Sequence, residues 1–142
     1  MEDHSASHLQ EGLLQAFTAA DYRVAMAGHE LSIRIGRTHP ELDRALGHRA
    51  WAIVTACNPG GRLADEDDNQ RRQLALEQAI EEFGWPYWRG RNLDPQNAWP
   101  EEPSLLIVDA DVEALMRLAA RFSQVAIVTG RPGASAELRP CS

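Results

Sequence analysis

A loop that combines two glycines with an arginine is the first stretch of this sequence that could do chemistry. It reads Asn58-Pro59-Gly60-Gly61-Arg62, and it follows the apolar run 51–56. Glycines without a Cβ let backbone N–H groups approach an anion, and an arginine fork matches a carboxylate or phosphate. A loop after a strand and before a helix is where α/β folds place ligands. We expect a site for an anionic small molecule here, and a plain connecting turn is the alternative.

The helix predicted after this loop, over about residues 67–83, starts with polar residues on its core-facing side. Its apolar stripe holds Leu76, Ile80 and Phe83, whereas the same side one and two turns earlier holds Asn69, Arg72 and Gln73. Such a helix start is expected to overhang the end of the strand. Arg62, Asn69 and Arg72 would then converge on one pocket. In the alternative interpretation these residues cap the helix and fix the shape of the loop.

Two adjacent carboxylates, Glu101 and Glu102, lie in the segment Trp99-Pro-Glu-Glu-Pro-Ser104. Either could act as a general acid or base, because burial beside Trp99 would raise the pKa of a carboxyl group. A solvated turn is the alternative, and Ser104 lacks the sequence context of a serine hydrolase.

The cysteines and histidines show no catalytic or metal-binding pattern. Cys57 is interpreted as a small buried residue, although a thiol at a strand end could be a nucleophile with His29, His39 or His48 as base. His4 and His8 have helical metal spacing but lie at a terminus. We therefore predict no metal site, and no cofactor is assigned.

The elements that position these residues follow from the apolar periodicity. It predicts a helix over 8–20, a hairpin over 22–35, a short helix from Pro40, strands at 51–56, 87–91, 105–108 and 125–129, helices at 67–83 and 112–122, and a short strand near Leu138. From residue 51 the order is β-α-β-β-α-β. This predicts an α+β fold with a ferredoxin-like split β-α-β core, preceded by an N-terminal helix and β-hairpin.

The bulk composition indicates one soluble globular domain. The chain has 142 residues, 44% hydrophobic and 25% charged, which is sufficient for a single core. We divide it into an N-terminal part (1–50), a core (51–129) and a tail (130–142). The polar N-terminus and the lack of a long apolar run predict a cytoplasmic protein with no membrane segment.

The charge of the chain excludes several function classes. All 14 basic residues are arginine, which rules out a phosphate loop or a Schiff base that depends on lysine. The net charge of −7 disfavours nucleic-acid binding, since that affinity comes mainly from phosphate neutralisation.

Three separated motifs resemble a bacterial family of small proteins catalogued only as a domain of unknown function. They are "TACNPGGR" with Asn69 downstream, "WPEEPS" before an apolar strand, and "ALMRLAARFSQVAIV", and the similarity spans about 51–129. The family pattern falls on Thr55, Ala56, Asn58, Pro59, Asn69, Trp99, Glu101 or Glu102, Ser104, Phe122, Gln124 and Ala126. The resemblance implies no activity, but its polar residues suggest a site formed from several segments.

Two functions follow as hypotheses. The first is a site for an anionic or nucleotide-like small molecule, with Glu101 or Glu102 as acid or base and with ligand contacts from Asn58, Gly60, Gly61, Arg62, Asn69, Arg72, Trp99, Ser104 and Gln124. The second is a protein-interaction or regulatory module, in which an edge strand or the aromatic residues Trp85, Tyr87, Trp88 and Trp99 meet a protein partner or a second copy of the chain.

Overall fold

The computed structural model describes residues 4–26 and 28–141, with side chains from residue 11 onward. Four α-helices are present in these ranges: α1 (His4–Ala19), α2 (Pro40–Ala45), α3 (Glu66–Phe83) and α4 (Val112–Arg121). The seven strands are β1 (Asp21–Met26), β2 (His29–Ile33), β3 (Trp51–Val54), β4 (Tyr87–Leu93), β5 (Glu102–Val108), β6 (Ala126–Gly130) and β7 (Glu137–Pro140). A single 3₁₀ turn, Pro59–Gly61, separates β3 from α3.

All seven strands form one antiparallel sheet in the order β2-β1-β4-β5-β3-β6-β7. The sheet curls, because a parallel bridge between Ile35 and Ala136 links the segment after β2 to the segment before β7. Two backbone hydrogen bonds hold this bridge, from Gly36 N to Ala136 O at 2.8 Å and from Ala136 N to Arg37 O at 3.0 Å. The two outermost strands therefore meet at one end of the sheet.

The two faces of the sheet carry separate hydrophobic cores, as alternating side chains along each strand require. The inner face, which includes the bridging Ile35 and Ala136, is filled by residues of all seven strands, together with Leu42 of α2 and Leu46, which follows α2. The outer face packs against α3 and α4, through residues such as Leu76, Ile80 and Leu115. Helices α3 and α4 thus cover the central strands on the outer face of the sheet. The site described below lies at one end of the inner face.

Local sequence signals explain where α3 begins and ends. The Asp65 side chain accepts a hydrogen bond from Asp68 N at the first turn, as an N-cap does. Gly84 ends the helix with φ 77°, a left-handed conformation that glycine adopts without steric cost. The acids of the first turn therefore belong to the helix start, as the sequence indicated.

The α+β class is confirmed, and so are the hairpin and the short strand near Leu138. Several boundaries were wrong: β3 ends at Val54, β4 continues to Leu93, and β5 starts at Glu102 rather than at Leu105. The helix and the hairpin come first in the chain, as expected, and β1 pairs directly with β4, so the hairpin extends the same sheet. The division of the chain at residues 50 and 129 stays a prediction. In the described ranges, no helix combines the length and hydrophobicity that crossing a bilayer demands.

Candidate functional site

The candidate site is built around Asn58, which lies beyond the end of β3 in a left-handed conformation (φ 50°, ψ 63°). Asparagine tolerates this region better than most residues, because its short side chain forms local hydrogen bonds. The segment before it is fixed by Gln73 of α3, whose Oε1 accepts from Ala56 N at 3.0 Å. Asn58 is 5% exposed, so its polar atoms need partners inside the protein.

Asn69 of α3 and Ala64 supply two of these partners. Asn58 N donates to Asn69 Oδ1 at 2.8 Å, and Asn69 Nδ2 donates to Asn58 Oδ1 at 2.9 Å. Ala64 N donates to the same Oδ1 at 2.9 Å. The polar first turn of α3 therefore clamps the loop through reciprocal amide hydrogen bonds, which is the arrangement expected of a loop-fixing network.

The third partner of Asn58 is the carboxyl group of Glu102. Asn58 Nδ2 donates to Glu102 Oε2 at 2.7 Å across two buried side chains. Glu102 is 6% exposed and forms no ion pair with any described residue. Burial raises the pKa of the Glu102 carboxyl above its ordinary value, while the Asn58 hydrogen bond and the nearby Trp99 indole oppose the rise. A carboxyl group in this environment takes up a proton more readily than one in water.

A small cavity lies beside Glu102 on the inner face of the sheet. Tyr22, Asn92 and Glu102 stand in register across β1, β4 and β5, and all three line it. Its volume is about 30 Å³, the space of roughly one water molecule. Asn92 Oδ1 is buried with no hydrogen-bond partner among the described residues. The cavity thus faces two side chains with oxygen acceptors, and one of those acceptors is unsatisfied.

Trp99 and Tyr22 complete the surroundings of Glu102. The Trp99 indole nitrogen is buried without a hydrogen bond to a described residue, although the ring is close enough to affect the carboxyl. The Tyr22 hydroxyl donates to Phe17 O at the end of α1. Burial raises the pKa of this hydroxyl, and the charge of Glu102 raises it further. Tyr22 is therefore a neutral donor near this carboxyl group.

The glycine loop does not offer its backbone N–H groups to a ligand. Gly60 N donates to Ser123 O at 2.7 Å, and Gly61 N donates to Asn58 O at 3.0 Å. Gly61 has φ 74°, and a Cβ there would overlap the side chain of Leu13 in α1. The amides on which the expected anion site depended are thus satisfied internally, and the loop also provides a packing surface for α1.

The arginines expected at this site separate from the amide network. Arg72 Nε donates to Asp68 Oδ2 at 3.2 Å, an i,i+4 ion pair on the surface of α3. Arg62 is exposed after the 3₁₀ turn and makes no ion pair with the described residues. Arg72 therefore pairs with Asp68 and not with the amide network, while Asn69 does reach Asn58. The convergence of Arg62, Asn69 and Arg72 on one pocket stays a prediction.

The remaining sequence-predicted residues divide between the site and the surface. Gln124 Nε2 donates to Cys57 O at 3.0 Å, and Gln124 also lines the cavity. Ser104 is buried on β5, two residues from Glu102 and on the same face. Glu101 is exposed and pairs with Arg91 at 2.9 Å. Of the two adjacent carboxylates, only Glu102 belongs to the site.

Among the described side chains, Cys57 forms no nucleophile–base pair with His29, His39 or His48. Burial raises the pKa of the Cys57 thiol, and the side chains that act on it are Thr55, Gln73 and Glu102. His39 instead accepts from Arg34 N and packs edge-on against Trp51. The described residues contain no group of three potential metal ligands, and the side chains of His4 and His8 lie outside the described part.

Sequence reasoning did not identify three residues of the site, which are Tyr22, Asn92 and Gln73. Gln73 was noted on the helix but was not assigned to the site. Counting back by two from the inward-facing Leu106 reaches Ser104 and Glu102, so alternation along β5 could have selected Glu102. No sequence signal places Tyr22 and Asn92 beside it, because that depends on the register of three strands. Gln73 was visible as a polar residue on an apolar helix face.

A family profile described as "Protein of unknown function (DUF3293)" matches residues 54–127, just over half of the chain. The matched stretch contains Asn58, Asn69, Trp99, Glu102, Ser104 and Gln124, and the match confirms the resemblance inferred from the sequence. No curated protein and no solved structure matched this chain.

Proposed function

This chain belongs to the DUF3293 family, described as proteins of unknown function, and we propose that it binds a small polar molecule at the cavity beside Glu102. One observation carries the proposal: a buried carboxyl group lies beside a cavity with no cation in contact among the described residues. Burying a charge without a partner is costly. Carboxyl groups with perturbed pKa values in such positions are functional-site candidates.

The polar atoms around the cavity define the part of the ligand that enters it. Glu102 and Asn92 both present oxygen acceptors, so the ligand should present N–H or O–H groups. The volume of about 30 Å³ admits only an end group such as an amine or a hydroxyl. The remainder of the molecule would lie outside, where the half-buried Trp99 offers an aromatic face.

Arg62 provides the chemistry for the outer end of the ligand. Its exposed guanidinium, two residues before Ala64 of the amide clamp, could pair with a phosphate or carboxylate. A nucleotide-like molecule carries both a donor group and an anionic group. The anionic ligand expected from the sequence is therefore retained, with Arg62 rather than the glycine amides as its partner.

Glu102 is the residue that would move a proton if the site is catalytic. A pKa raised by burial brings a carboxyl group closer to neutrality, which improves its efficiency as a general acid or base. Asn58 holds one oxygen of this group in place, which leaves the other for the ligand. Glu101, exposed and paired with Arg91, is not proposed for this role.

A thermal-shift panel tests the proposal. The protein would be screened against amines, nucleotides, phosphates and carboxylates, because a ligand at about 100 times its Kd stabilises by roughly 2.7 kcal/mol. We expect a hit whose shift is lost in Glu102→Gln and reduced in Arg62→Ala.

Glu101→Gln is the matched control, since it removes the adjacent carboxyl but leaves the cavity intact. A shift that persists in Glu102→Gln, or that is lost equally in Glu101→Gln, would contradict a site at Glu102.

A second candidate function is an interaction surface for a protein partner. Phe83 and Trp85 stack with ring centroids 4.2 Å apart, and Phe83 is 49% exposed. Tyr87 packs on the same outer-face core as Trp85, whereas Trp88 packs on the inner face and Trp99 lies near Glu102. Light scattering of the wild type and of Phe83→Ser would detect a second copy, and pull-down with the same pair would detect another protein. A monomer without a Phe83-dependent partner would contradict this function.

Two further expectations remain part of the proposal. A ferredoxin-like core for residues 51–129 is supported by the chain order β-α-β-β-α-β and the neighbour order β4-β5-β3-β6. A cytoplasmic location without a nucleic-acid partner rests on the N-terminal sequence and the net charge of −7. An experimental structure and fluorescence localisation would test them.

A further inference from the structure

A second cavity lies at the opposite end of β3, where the strand begins at Trp51. It lies beside β6, β7 and the start of α4, and its volume is about 280 Å³. We call it the β7 groove. Its lining includes Ala52, Val112, Thr129, Arg131, Glu137 and Arg139. Strands β3, β6 and β7 line both this groove and the Glu102 cavity, but no residue lines both.

Small residues keep the β7 groove open. Ala50, Ala52, Ala110 and Ala134 line it, and each contributes only a methyl group to its walls. Gly130 also lines it, and a Cβ there would overlap the indole of Trp51. The Trp51 ring therefore lies against the bare backbone of β6.

The charges in the β7 groove favour an anion. Arg131 and Arg139 are exposed, and neither forms an ion pair with a residue in the described ranges. Glu137 is the one carboxylate in the lining, so the lining side chains carry a net positive charge. Glu137 and Arg139 are two residues apart on β7 and so share one face of the sheet. An arginine fork binds carboxylate and phosphate groups through paired hydrogen bonds.

We propose that the β7 groove is a binding site for a small organic anion, whose carboxylate or phosphate group pairs with Arg131 and Arg139. The apolar part of the ligand contacts the alanines and Val112. The volume is just below the range of pockets for drug-sized ligands, which sets the ligand size to that of a short acid or a phosphate monoester. This site is independent of Glu102.

Calorimetric titration of the full chain at low salt tests the proposal, with succinate and glycerol 3-phosphate as the probes. We expect saturable 1:1 binding of at least one probe, weakened about tenfold or more in Arg131→Gln and in Arg139→Gln, because a lost charge-assisted hydrogen bond is worth at least that factor. The stronger probe identifies the acid group. Ala134→Phe, which fills the groove without changing charge, should also abolish binding.

Arg117→Gln is the matched control, since Arg117 is an exposed arginine of α4 that does not line the groove. Binding should be unchanged in this variant and in Glu102→Gln, so that failure here is separate from failure of the proposed function. The absence of binding by both probes, or an equal loss in Arg117→Gln, would overturn the assignment.

Discussion

The side-chain amide of Asn58 donates a 2.7 Å hydrogen bond to the carboxyl group of Glu102. This contact joins the loop after β3 to the first residue of β5 across two side chains that are each less than a tenth exposed. It therefore ties the position of the loop to a buried acid. The following predictions test that relationship and the packing around it.

Replacing Asn58 by glycine should destabilise the protein by about 2–3 kcal/mol, measured by urea denaturation. Glycine keeps the left-handed backbone but removes the hydrogen bonds to Glu102, Asn69 and Ala64. Asn97→Gly is the control, because Asn97 is also left-handed (φ 56°) but exposed, and it should change stability by less than about 0.5 kcal/mol. Equal effects of the two substitutions would contradict the clamp.

The contribution of Glu102 to stability should fall as pH rises. Its pKa is raised in the folded state, so the folded state holds the proton over a pH range where the unfolded state has lost it. Stability therefore decreases from the unfolded pKa up to the folded pKa of this group. The unfolding free energies of wild type and Glu102→Gln would be measured from pH 4 to pH 8. Wild type should lose stability relative to Glu102→Gln as the pH rises. A difference that is constant across this range would contradict the raised pKa.

Gly61→Ala should destabilise the protein more than Gly60→Ala. Both glycines have positive φ, so each alanine carries a strain of about 1–2 kcal/mol, but only at Gly61 does the new Cβ overlap Leu13. Leu13→Ala should remove the destabilisation that comes from the overlap with Leu13. A double-mutant cycle of Gly61→Ala with Leu13→Ala measures this coupling energy. A coupling energy near zero would show that α1 does not pack on this loop.

Cys57 should react with Ellman's reagent only when the protein opens. Its thiol is 2% exposed and its pKa is raised by burial, so the thiolate fraction in the native state is small. We expect the Cys141→Ser variant to react slowly in buffer and fast in denaturant, whereas Cys57→Ser should react at its more exposed Cys141. Fast native-state labelling of Cys57 would restore its candidacy as a nucleophile.

The elements of this fold were predictable because they follow from short-range patterns. The stripe of α4 and the glycine that ends α3 are local signals, and the structure has both where they were expected. The apolar run at Leu105 also located β5, but its start at Glu102 was missed because the polar residues at that end are stabilised by tertiary contacts.

The candidate site was predictable only in part, for the same physical reason. Asn58 and Asn69 were identified from residue type and position beside a loop, and they do form a hydrogen-bonded pair. The choice between Glu101 and Glu102 depends on which of them faces inward, and Asn92 is brought to the site by the pairing of β4 with β5. The satisfaction of the Gly60 amide could not be foreseen, because its acceptor, Ser123 O, is distant in sequence.

The bridge between Ile35 and Ala136 has a consequence for folding. It joins parts of the chain that are far apart in sequence and rests on two backbone hydrogen bonds. The entropy of closing so long a loop is recovered only when the intervening strands are already paired. We expect the backbone amides of Gly36 and Ala136 to be the last to gain protection from hydrogen exchange during refolding. In the native state they should be among the first amides of the sheet to exchange with deuterium. The curl of the sheet would then be its latest-formed and most easily opened feature.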